Sequence, residues 1–168
     1  MTRAVPLLGY VYVAFALSAF LVGTNHPRRE TALFTVAAFA FLWFLGSLRA
    51  KIIRYDPDGF FASLVVLGGG SLIALQAAAL ADASFQLAAP AAACAATIII
   101  ASSLAALQAR KVSRLFGRLG LAGGAAVLVV GIVEAARGWT FHGSTVWGSS
   151  LGFMVWVLVT ATYLWRRS

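Results

Sequence analysis

Six stretches, residues 5–23, 31–48, 60–81, 87–109, 119–136 and 149–165, are predominantly apolar and together hold one charged residue, Glu134. Each is close to the length of about 20 residues that a helix needs to cross the hydrocarbon core of a bilayer. Lipid offers no partner for a backbone N–H or C=O, so only helices and closed barrels can span it. A barrel would show apolar–polar alternation, and none of the six segments has it. The expected fold is therefore all-α: a polytopic transmembrane helical bundle of six helices forming a single domain, 1–168. Composition agrees. Hydrophobic residues make up 61% and charged residues 11%, against about 45–50% and about 25% in soluble domains.

The breaks carry turn chemistry. Asn25, His26 and Pro27 interrupt the first pair, and Asp56-Pro57-Asp58-Gly59 reads as a turn before the third segment. The break from Asp82 to Gln86 is the weakest, with one charge. Without it, the third and fourth segments would merge into a run of about 50 residues, more than twice what a bilayer accommodates. Pro90 falls near the start of the fourth segment, where a helix tolerates proline.

The basic residues set the expected orientation. With the N-terminus in the cytoplasm, the inner segments hold Arg3, Arg49, Lys51, Arg54, Arg110, Lys111, Arg114, Arg118, Arg166 and Arg167. The outer segments hold Arg28, Arg29 and Arg137. This 10:3 split of the 13 Lys and Arg obeys the positive-inside rule and places both ends inside, N-in/C-in. The expected location is the cell (inner, cytoplasmic) membrane. Cationic residues confined to short breaks give a net charge of +8 without forming a nucleic-acid surface. The first segment lacks a small-x-small cleavage site with a polar flank, so it is expected to stay as a span and not to act as a signal peptide.

Few residues are candidates for chemistry. Glu134 is the acidic residue within a span, where an ionisable group raises a functional hypothesis. Its place near the outer end of the fifth segment, three residues before Arg137, favours an interfacial ion pair. Gln76, Thr97 and Gln108 are further polar groups within spans. Gly68, Gly69 and Gly70 could break the third helix at a substrate site, but close helix packing is the expected role. Gly117, Gly124, Gly131 and Gly138 recur every seven residues, and Gly120 and Gly124 form a GxxxG pair. That stripe predicts a tight contact of Gly124 and Gly131 with another helix, in this chain or in a homo- or hetero-oligomer. His26 and His142 fall in outer loops without a third ligand for zinc. Cys94, among alanines, is expected to be a poorly reactive packing residue. No catalytic residue, cofactor or metal site is expected. Arg110, Lys111, Arg114 and Arg118 form a basic loop that would attract anionic lipid headgroups. Tyr10, Tyr12, Trp43, Trp139, Trp147, Tyr163 and Trp165 are expected to anchor span ends as an aromatic belt.

Phe41-Leu42-Trp43-Phe44-Leu45-Gly46-Ser47-Leu48-Arg49, Gly68-Gly69-Gly70, Arg118-Leu119-Gly120-Leu121, Trp156 and the closing Arg166-Arg167 occur in order along the chain. In this pattern the sequence resembles a group of uncharacterised multi-pass membrane proteins from high-GC bacteria. The resemblance covers most of the chain and rests on membrane-helix motifs. It implies the helical membrane fold and brings no activity or site with it. The first outer loop, Thr24 to Glu30, is shorter than the group's pattern.

The leading functional expectation is an accessory bundle that works through interactions in the membrane. The rival is a small-solute or ion transporter, which should gather Glu134, Gln76, Thr97 and Gln108 around one wet cavity. A membrane-embedded enzyme ranks third, because it would need several titratable groups in one pocket.

Overall fold

The computed structural model describes residues 7–23, 27–56, 58–82, 88–109, 114–136 and 147–166. Among these residues there are six helices and no strand. They are α1 (Leu7–Gly23), α2 (Pro27–Ile52), α3 (Phe60–Asp82), α4 (Ala88–Gln108), α5 (Arg114–Ala136) and α6 (Trp147–Arg166). By length and composition, four stretches can cross a membrane: Arg28–Ile52, Phe60–Ala78, Ala89–Gln108 and Arg114–Glu134. Leu7–Val22 and Ser150–Trp165 are shorter apolar helices. The chain is thus an all-helical bundle of membrane-protein character.

Helix ends differ from the sequence expectation where charged residues join the helices. α2 begins at Pro27, not Thr31, because a first-turn proline has no N–H to leave unpaired. It ends on a turn containing Arg49 and Lys51, whose charges complement the C-terminal end of the helix dipole. α5 begins at Arg114, not Leu119, so Arg114 and Arg118 are exposed helical residues and do not belong to a loop. Between α2 and α3, the Asp56 carboxylate accepts a hydrogen bond from the Ala62 N–H at 3.0 Å, and Gly59 takes a φ of 68°. This caps the free N–H groups at the start of α3 and uses a glycine where the backbone turns left-handed.

Each helix packs on its neighbours in sequence, and α6 returns to α1, which closes a ring. α4 also touches α6 and α2 across the ring. Contacts on α5 meet falling residue numbers on α4: Gly117 lies against Leu107, Gly120 against Ser103 and Gly124 against Ile100. α5 meets α6 in the same opposed sense, through Phe116 with Tyr163 and Val127 with Gly152. Both pairs therefore run antiparallel.

The centre is aromatic. Tyr12 of α1, Phe41 of α2 and Phe153 of α6 bring ring centroids to 4.7, 5.5 and 6.4 Å of one another. Tyr12 is 3% exposed, so it belongs to the core and not to the expected aromatic belt. Tyr163, also expected in the belt, stacks on Phe116. Trp43 is exposed midway along α2. Trp165 is exposed at the end of α6, and Trp139 lies outside the described residues.

A hydrogen bond of 2.6 Å between the Tyr10 hydroxyl and Thr162 Oγ1 ties α1 to α6. Thr162 already donates to the Leu158 carbonyl at 2.7 Å, so Tyr10 is the donor. Hydrogen bonds between membrane helices average about 0.6 kcal/mol. Tyr10→Phe should therefore lower stability by about that much in a denaturing-detergent titration. A loss several times larger would mean that the hydroxyl does more than close the ring.

Candidate functional site

Gln76 is the polar span residue that the fold places at an opening. It lies on α3 near the end where α4 and α6 begin, and it lines a recess together with Tyr12 of α1 and Ser150 of α6. Leu72, Phe153 and alanines of α4 form the apolar wall. The recess is half-open, with about 280 Å³ of free space that includes open solvent. It has room for about one water. Pockets for drug-sized ligands run from about 300 to 1,000 Å³ and bury most of the ligand. No lining residue carries a charge at neutral pH. The site can therefore offer neutral hydrogen bonds to a very small guest. Sequence reasoning singled out Gln76 but passed over Tyr12 and Ser150. A serine at the start of a span and a tyrosine in the first helix give no signal until the helices are assembled.

The other polar candidates do not converge on this recess. Glu134 is half-buried on α5 and Gln108 is exposed at the end of α4. Thr97 donates its hydroxyl to the Ala93 carbonyl of its own helix at 2.8 Å. Arg137, the expected partner of Glu134, lies outside the described residues, as do His26, His142, Gly138, Arg110 and Lys111. Among the described residues, no three His, Cys, Asp or Glu side chains come together as metal ligands.

The glycines of α3 divide three ways. A Cβ on Gly68 would meet Ile98 at 3.1 Å and the Cys94 carbonyl at 3.2 Å, and one on Gly69 would collide with Leu45 of α2. Gly70 faces open space. α3 runs unbroken through all three. On α5, Gly117, Gly120 and Gly124 lie against α4, and Gly131 is buried. Ser103 occupies the gap opposite Gly120 and donates to the Ile99 carbonyl at 2.6 Å.

Trp156 Nε1 and Thr160 Oγ1, one turn apart on α6, are further buried polar atoms. Neither has a hydrogen-bond partner among the described residues. The Trp156 ring stacks on Phe153 at 5.7 Å, next to the recess wall. No family model, curated protein or solved structure matches this chain.

Proposed function

We propose that the chain is a multi-pass protein of the cytoplasmic membrane, with six spans and both ends inside, and that it acts as an accessory bundle through contacts with other membrane components. One observation carries this reading: most of the serine and threonine hydroxyls whose hydrogen bonds the structure shows are spent on their own helix backbone. Ser18, Thr35, Thr97, Ser102, Ser103 and Thr162 each donate to a carbonyl three or four residues earlier. A passage for a polar solute needs such groups turned toward it. Here they satisfy the helices that carry them. The span count is supported by the packing of α1 and α6, which lie beside each other and against the long helices α2 and α5. Arg114 and Arg118 are exposed at the start of α5, and on the inner face of a membrane they would attract anionic headgroups.

Topology is read by reporter fusions after Arg54, Gln86, Arg110 and Ser168, which should report inside, outside, inside and inside. An outside signal at Ser168 would overturn the even count. The recess at Gln76 favours a second reading, a carrier of a small neutral solute. Purified protein in liposomes separates the two. The accessory reading expects no solute or proton flux above that of empty liposomes. It also expects Glu134→Gln to preserve folding and any measurable activity, because a carboxylate near a span end can reach the interface. Proton-coupled flux abolished by Glu134→Gln would establish the carrier instead.

A further inference from the structure

We infer that the recess at the end of the bundle is a specific site for one bound water molecule, held by Gln76, Ser150 and the Tyr12 hydroxyl, which joins α3 to α1 and α6. Three residues with polar side chains, on three helices, line the same small space. Two of them, Tyr12 and Ser150, are more than nine-tenths buried. Ala91, Ala92 and Ala95 of α4 leave the room that larger side chains would fill. The recess has room for about one water, and a bound water needs two to four polar partners. Gln76 supplies both donors and an acceptor, while the two hydroxyls can each donate or accept.

The guest is neutral because nothing in the lining carries a charge, and small because the recess has room for about one water. The site has a structural consequence. α3 packs on α2 and α4 but not broadly on α1 or α6. A water at the recess gives it a hydrogen-bonded link across the ring. Water-mediated hydrogen bonds are nearly as favourable in enthalpy as direct ones.

The test uses the intact protein in detergent micelles. Amide-detected NMR of the Gln76 side-chain NH₂, assigned by its loss in Gln76→Leu, should show a cross-peak to a long-lived water. Ser150→Ala should shift that NH₂ resonance. In melting experiments, Gln76→Leu and Ser150→Ala should each lower the midpoint by roughly 2–4 °C, and the double variant should fall no further than the worse single one. The NMR measurement on the unaltered protein stands even if a variant folds poorly. No water cross-peak, or a resonance unmoved by Ser150→Ala, overturns the site. Fully additive melting losses overturn the shared guest.

Discussion

Gly124→Leu should destabilise the bundle by about 1–3 kcal/mol, the usual range for overpacking a filled interface, while the same change at Gly123 should be nearly silent. A Cβ at Gly124 would already meet Ile100 Cγ1 at 2.7 Å, Ile99 Cγ2 at 3.3 Å and the Ala96 carbonyl oxygen at 3.4 Å. The last of these is backbone, so it moves only if α4 moves. α4 cannot retreat freely, since α3 presses on its other side, with Gly68 against Cys94 and Ile98. Gly123 is exposed, with no atom within 4 Å of its would-be Cβ. The two positions share helix, depth and residue type and differ only in direction. Denaturing-detergent titrations of both variants measure the contrast. Equal losses would show that helix propensity, not the α4–α5 contact, sets the cost of leucine.

Phe41→Ala should have the largest effect of any single truncation in the core, about 2–4 kcal/mol. Its side chain is 1% exposed and its ring contacts those of Tyr12, Phe44 and Phe153. Removing it opens a cavity where α1, α2 and α6 meet. In soluble cores Phe→Ala costs about 3–5 kcal/mol, part of it transfer from water and part cavity. In a bilayer the transfer part shrinks, because helices separated in lipid are not exposed to water. The lost dispersion contacts remain. Trp43→Ala, by comparison, removes a side chain 59% exposed on the outer face of α2 and should cost well under 1 kcal/mol. If both truncations cost the same, the aromatic cluster is not the keystone of the ring.

The glycine positions show how far the linear pattern reaches. The seven-residue recurrence and the GxxxG pair pointed to a helix contact, and Gly117, Gly120 and Gly124 do lie on α4. The pattern could not say which helix, because a glycine marks close approach without identifying the partner. The Gly68-Gly69-Gly70 run was less legible still. Its three members turn to α4, to α2 and to open space in succession, since neighbouring residues on a helix point about 100° apart. Tyr12 was misassigned for a related reason. In a membrane helix both the packed and the lipid-facing sides are apolar, so no hydrophobic face marks the inward side. A tyrosine near a span end then looks like an anchor whether it faces headgroups or the core.

What the sequence by itself determined is the set of six helices and their membrane character. Both are local consequences of apolar runs whose backbone groups must bond within the segment. The approximate ends followed from prolines, glycines and charges, with errors where Pro27 and Arg114 extended the helices into the expected loops. Only the tertiary structure decided that α6 closes on α1, that α4 packs against four other helices, and that Gln76, Ser150 and Tyr12 share one recess while Gln108 stays exposed and Glu134 sits on another helix. Those facts depend on the rotation of each helix about its axis. That rotation is set by how small and large side chains interlock between helices distant in sequence, and no single segment contains this information.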